Sequence, residues 1–105
     1  MHPRIRKLLL ALEPYGPERI YLFGSMARGE GDALSDLAVA IIKRTSSTFF
    51  ARLEEAGRML PPDLGAVDLL VYTPEEFSRM LDDGNAFAEM IAEEGQVIYE
   101  RETAG

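Results

Sequence analysis

Residues 19–42 read RIYLFGSMARGEGDALSDLAVAII. The division of this stretch decides the fold. Arg19 to Phe23 is β-branched and aromatic, and is bounded by Pro17 and Gly24, which predicts a short buried strand. Asp36 to Lys43 carries Leu37, Val39, Ile41 and Ile42 and predicts the strongest strand of the chain. Between the two strands, Gly24-Ser25 opens a segment, Ser25 to Arg28, that suits one or two helical turns. Gly29 to Ser35 follows as a loop rich in glycine and acids.

Outward from that stretch, helical and strand patterns alternate. Arg4 to Glu13 places Leu8, Leu9 and Leu12 on a helix face that stops at Pro14-Tyr15-Gly16-Pro17. Thr48 to Leu60 is predicted as an amphipathic helix with Phe49, Phe50, Leu53, Ala56, Met59 and Leu60 at helical spacing. Pro61-Pro62-Asp63-Leu64-Gly65 ends it. Val67 to Tyr72 reads as another strand. Thr73, Pro74 and Glu76 form the signature of a capping box, which starts a helix carrying Phe77, Met80 and Leu81. Asn85 starts a further helix that ends at Gly95. Gln96 to Tyr99 reads as an edge strand, and a tail is expected from about residue 100. The predicted fold class is therefore α/β (α+β), a mixed sheet of about four strands with helices packed on it. Residues 1–105 are expected to form a single domain.

Composition narrows the function classes. The chain has 105 residues, 47% of them hydrophobic, which suits one core and leaves no room for a second. It contains no cysteine, so disulfide scaffolds, thiolate metal sites and cysteine nucleophiles are excluded. Arg4, Arg6 and Lys7 precede Leu8-Leu9-Leu10 in the manner of a signal peptide. Glu13-Pro14 follows too soon for one, with no small-residue cleavage site, and the apolar runs are too short to span a bilayer. A cytoplasmic protein with no membrane partner is expected. The net charge of −7, from 18 acidic and 11 basic residues, opposes nonspecific contact with nucleic-acid backbones. Acidic side chains can instead hold cations.

The candidate chemistry starts at Gly24-Ser25. Glycine allows close backbone approach where a buried strand ends, and the following N–H groups and the serine hydroxyl would attract phosphate. Asp36, at the start of the next strand, would project beside that turn if the two strands are neighbours. Asp68 sits inside the apolar strand Val67 to Val71, where a carboxylate needs a compensating partner, and a metal ion is one. Two carboxylates on adjacent strands beside a phosphate cradle describe a Mg²⁺–nucleotide site. Taken singly, Gly24-Ser25 could be an ordinary capped turn, and Asp36 and Asp68 could be strand-edge acids. Phe49, Phe50, Phe77, Met80, Phe87 and Met90 follow helical periods that suit core or interface, and Phe87, Met90 and Ile91 could instead be excess apolar surface that would favour a partner.

Gly24-Ser25 followed by Asp36 resembles the signature of the DNA polymerase beta-type nucleotidyltransferase superfamily. The run Phe-Gly-Ser-Met-Ala-Arg-Gly-Glu at 23 to 30, with Ser35-Asp36-Leu37 and Tyr-Thr-Pro-Glu-Glu-Phe at 72 to 77, is similar to its minimal nucleotidyltransferases. The resemblance covers nearly the whole chain. It implies the nucleotidyltransferase fold, with Gly24 and Ser25 on the phosphates of a nucleoside triphosphate such as ATP. It implies Asp36 and Asp68 as catalytic, metal-binding carboxylates on Mg²⁺, two ions in the family, with Asp68 helping to deprotonate the acceptor hydroxyl. Arg28 belongs to the signature without an assigned catalytic role. The resemblance also implies transfer of a nucleoside monophosphate to a hydroxyl. The acceptor could be a tyrosine of a helical partner of the HEPN type, in an antitoxin role.

The family pattern has a second aspartate two residues after the first, and here that position is Ala38. Residues i and i+2 of a strand share a face, so Ala38 removes the ligand expected to bridge the two ions. Asp32, in the loop, is the nearby acid that could in principle replace it. The loss is worth several kcal/mol of transition-state stabilisation, on the order of a thousandfold or more in rate. Two functions follow as alternatives: a transferase, or a degenerate domain that acts by binding its partner. A third is a purely structural, ferredoxin-like subunit of a larger assembly.

Overall fold

The structure, a computed structural model, describes residues 2–30 and 36–101. It contains helices α1 (Pro3–Leu12), α2 (Phe49–Gly57), α3 (Pro74–Asp82) and α4 (Ala86–Glu94). The strands are β1 (Arg19–Phe23), β2 (Leu37–Ile42), β3 (Val67–Tyr72) and β4 (Gln96–Glu100). The strands form one mixed sheet in the order β3-β2-β1-β4. Strand β1 runs antiparallel to β2 and to β4, while β2 and β3 are parallel and joined through α2. The expected architecture is the one observed, with β4 on an edge.

The apolar pattern of β1 and β2 explains why helices cover both faces. Ile20, Leu22, Leu37, Val39 and Ile41 alternate onto one face, where they pack with Ile5, Leu8 and Leu12 of α1 and Ala56 of α2. Tyr21, Ala40 and Ile42 point to the other face and pack with Phe77 of α3 and with Ala88 and Ile91 of α4. A strand buried on both sides reads as a near-continuous apolar run, as β2 does. Among the described residues, no helix is long and apolar enough to cross a membrane.

Several boundaries differ from expectation. Strand β2 begins at Leu37, so Asp36 lies immediately ahead of it. Helix α2 ends at Gly57 and the chain turns through Arg58 to Leu60. Strand β4 runs on through Glu100, and the Arg101 amide donates to the Glu18 carbonyl at 2.8 Å, so the chain is still paired where a tail was expected. Residues 102–105 of that tail lie outside the described residues. Of the aromatic pair in α2, Phe49 packs against Tyr72 of β3, whereas Phe50 is 80% exposed.

Arg52 of α2 is 6% exposed, the one buried charged residue among those described. Its guanidinium grips both carboxylate oxygens of Glu76 at 2.6 and 3.2 Å and donates to the carbonyls of Ser47 and Val71. Glu76 also closes the α3 capping box by accepting from the Thr73 amide, while the Thr73 hydroxyl accepts from the Glu76 amide. One bidentate pair thus ties α2, β3 and the start of α3 together. The hydrogen bond from Arg52 holds the Glu76 carboxyl below the usual glutamate range, against partial burial. A depressed carboxyl contributes stability above its unfolded pKa, and that contribution is lost as pH falls through the folded value. We therefore expect Glu76→Gln to cost about 2 kcal/mol at neutral pH, because it leaves a buried guanidinium without its counter-charge. In urea titrations the deficit should begin to shrink as pH falls below the unfolded glutamate value, about 4.3, and should vanish only below the depressed folded value, where the wild-type carboxylate is itself protonated. An equal deficit at pH 7 and pH 3 would refute the charge-based origin.

Candidate functional site

Strand β1 stops at Gly24 because the backbone there turns left-handed, with φ of 78°. A side chain at that φ is strained, and glycine avoids the strain. The segment after it is not the helix expected from Ser25 to Arg28. It is a succession of tight turns: the amides of Ala27 and Arg28 both donate to the Gly24 carbonyl at 3.1 and 3.3 Å, and the Glu30 amide donates to the Ser25 carbonyl at 3.0 Å. Buried Ala27 anchors the turn from below, and the Gln96 side-chain amide at the start of β4 donates to the Ala27 carbonyl at 2.7 Å. Arg28 pairs with Glu30 at 3.1 Å on the exposed outer side, which gives it a local bracing contact.

Strand register brings the remaining positions to that turn. Phe23 on β1 lies opposite Ala38 on β2, and Ala38 lies opposite Asp68 on β3. Opposed residues of neighbouring strands share a face, so the Asp68 carboxylate, the Ala38 methyl and the Phe23 ring form one row across three strands. That row spans about 10 Å at the usual strand spacing. Gly24 closes over it: a Cβ at Gly24 would stand 3.6 Å from the Ala38 Cβ. Asp36 is two residues ahead of Ala38, and the Leu37 amide still donates to the Ala66 carbonyl at 3.1 Å, so β2 and β3 remain paired up to it. Asp36 and Asp68 are both exposed. Gly24, Ser25, Asp36 and Asp68 therefore lie at one end of the sheet, with Asp68 on the face covered by α3 and α4.

The electrostatic content is reduced at the centre of this arrangement. Among the described residues, no three His, Cys, Asp or Glu side chains cluster so as to hold a metal ion. The alternative acid Asp32 and the adjacent Ser35 lie outside the described residues. Mg²⁺ is commonly held by one or two carboxylates together with substrate phosphates. Asp36 and Asp68 fit a single ion brought in with a polyphosphate. Two carboxylates are too few for the two-ion centre that the motif resemblance implies, whose further carboxylate would stand at Ala38.

Sequence reasoning missed two features of the site. Gln96, at the start of an edge strand, reaches across to brace the turn. Phe87 of α4 packs edge-on to Phe23 with ring centroids 5.6 Å apart. Met90, whose helical spacing suits core or interface, and Ile91, read also as surplus apolar surface, both belong to the core beneath α4, Ile91 fully buried and Met90 packed against that cluster. Their helical spacing was legible, but which face of the helix met the sheet was not.

By sequence the chain matches no known family profile and no curated protein. Its fold does have solved counterparts. One is a protein from Sulfolobus solfataricus provisionally named a nucleotidyltransferase, 24% identical, with a TM-score of 0.60 over 93% of this chain and 84% of that one. Another comes from a toxin–antitoxin crystallised with AMP-PNP, 20% identical, with a TM-score of 0.58 over 93% of this chain and 74% of that one. These likenesses establish a nucleotidyltransferase-like fold across nearly the whole chain.

The geometry at Gly24 predicts the outcome of Gly24→Ala. The added methyl meets Ala38 at ordinary van der Waals distance, so the penalty is conformational, about 1–2 kcal/mol. Chemical denaturation should show that loss. An unchanged midpoint would mean that the turn does not hold its left-handed form.

Proposed function

We propose that this chain is a nucleotidyltransferase-fold domain that binds a Mg²⁺-bound nucleoside triphosphate, ATP among them, and works chiefly as the binding partner of another protein. Gly24 and Ser25 receive the phosphates, and Asp36 and Asp68 hold the one ion that arrives with them. The ion offsets the repulsion between a triphosphate and a chain of net charge −7. The observation that carries this reading is Ala38, in register between Phe23 and Asp68 and directly under Gly24. A methyl group stands where the chemistry of phosphoryl transfer needs concentrated negative charge to gather metal ions. Such transfer depends almost wholly on positioning and charge stabilisation, so binding survives that loss far better than rate does. The partner we favour is a helical protein of the HEPN type in a cytoplasmic toxin–antitoxin pair. This is suggested by the motif resemblance and is in keeping with the toxin–antitoxin among the fold's counterparts.

A second reading keeps slow catalysis. Asp36, Asp68 and Gly24 still converge at one end of the sheet, as a transferase would require. In that reading the domain moves a nucleoside monophosphate onto a hydroxyl, such as a tyrosine of the partner. Asp68 takes the acceptor proton, and pyrophosphate leaves.

Restoring the carboxylate separates the two. With labelled ATP, Mg²⁺ and a candidate HEPN-type partner, Ala38→Asp should transfer label on the order of a thousandfold faster than the wild type, while calorimetry detects nucleotide binding to both. Equal transfer rates would contradict the binding-domain reading and support the second. Absence of nucleotide binding to either protein would remove both.

A further inference from the structure

We propose that the exposed face of Phe87 is a stacking platform for the base of the nucleotide whose phosphates lie at Gly24-Ser25. This rests on the nucleotide-binding reading above and adds to it the recognition of the base. Five large apolar side chains are exposed among the described residues: Leu10, Phe50, Met59, Phe87 and Val97. Phe87 alone of these stands in aromatic contact with the row of residues that builds the candidate site.

Phe23 immediately precedes Gly24 and lies opposite Ala38, whose other neighbour is Asp68. Its ring therefore sits on the same sheet face as the Asp68 carboxylate. Phe87 meets Phe23 at an interplanar angle of 87°, an edge-to-face contact that fixes the Phe87 ring while leaving it 36% exposed. The first turn of α4 is locked as well, since the Asn85 side chain accepts from the Ala88 amide at 3.0 Å. A half-open aromatic ring packed on the residue that precedes the phosphate turn, on the sheet face that also carries Asp68, offers what a flat heterocycle joined to a polyphosphate requires. Stacking on such a ring tolerates any base, because every base has a π-face. The site as a whole would then prefer nucleotides over bare polyphosphates, with little choice among bases.

The test uses Mg²⁺–ATP, Mg²⁺–GTP and Mg²⁺–tripolyphosphate, titrated by calorimetry into the full chain. Phe87→Ala should weaken both nucleotides roughly tenfold and leave tripolyphosphate binding unchanged. Because the chain has no tryptophan, Phe87→Trp supplies a single indole, excited selectively over the tyrosines, whose emission ATP should quench and tripolyphosphate should not. Equal effects of Phe87→Ala on all three ligands, or no effect on any, would overturn the platform while leaving the phosphate turn in place. Indole emission from the Phe87→Trp variant that ignores ATP shown by calorimetry to be bound would overturn it too. If the wild type binds neither nucleotides nor tripolyphosphate, the nucleotide reading itself fails, and the platform with it.

Discussion

The pairing of β2 with a neighbour on each side governs the rest of the molecule. Its antiparallel bond to β1 fixes Phe23 opposite Ala38, and its parallel bond to β3 fixes Asp68 there as well. Because side chains alternate along a strand, a slip of one residue in either ladder would turn Asp68 or Phe23 to the opposite face. The buried residues on both sides of β2 forbid such a slip. Leu37, Val39 and Ile41 are held against α1 and α2, while Ala40 and Ile42 are held against α3 and α4. The core therefore positions the site: hydrophobic packing sets the register, and the register sets where the acids and the glycine turn meet.

The same constraint gives Ala38 its meaning. Near the start of the inner strand β2, the Ala38 methyl lies at ordinary contact distance from where a Cβ on Gly24 would stand. Nothing in the packing selects against the methyl, so its cost falls on electrostatics. A two-ion phosphoryl-transfer centre concentrates several carboxylates in a small volume, and their mutual repulsion is relieved only by bound cations. An alanine at position 38 adds less repulsion to the empty protein than an aspartate there would, and gives a weaker hold on cations.

Much of this was legible in the sequence. The two strands of residues 19–42 could be read from their apolar patterns and the Gly24 boundary, and the helix at Pro74 from its capping box. The convergence of Gly24, Asp36 and Asp68 followed once β1, β2 and β3 were neighbours. The short helix after Ser25 was expected wrongly because propensity cannot see that Gly24 and Gly29 both adopt left-handed backbones, at φ of 78° and 74°. Those two bends use up the segment in turns. The burial of Arg52 is not legible from its residue type, because arginine on a helix normally faces water. Its signal was positional: it stands three residues after Phe49 and four before Ala56, on the apolar stripe of α2. Burial there requires a carboxylate, and the capping glutamate of α3 supplies it. The contact between Phe87 and Phe23 depends on how α4 crosses the sheet, which local patterns do not encode.

The central claim is spatial: one end of the sheet, from Gly24 to Asp68, receives a nucleotide. Amide chemical shifts of the isotope-labelled chain, recorded as Mg²⁺–AMP-PNP is added, test it most directly. The account predicts that the largest changes fall on Gly24, Ser25, Ala38 and Asp68, saturating together. Shifts centred instead on the opposite end of the same face, around Arg19, Ile42 and Phe77, would contradict it, as would no shifts at all.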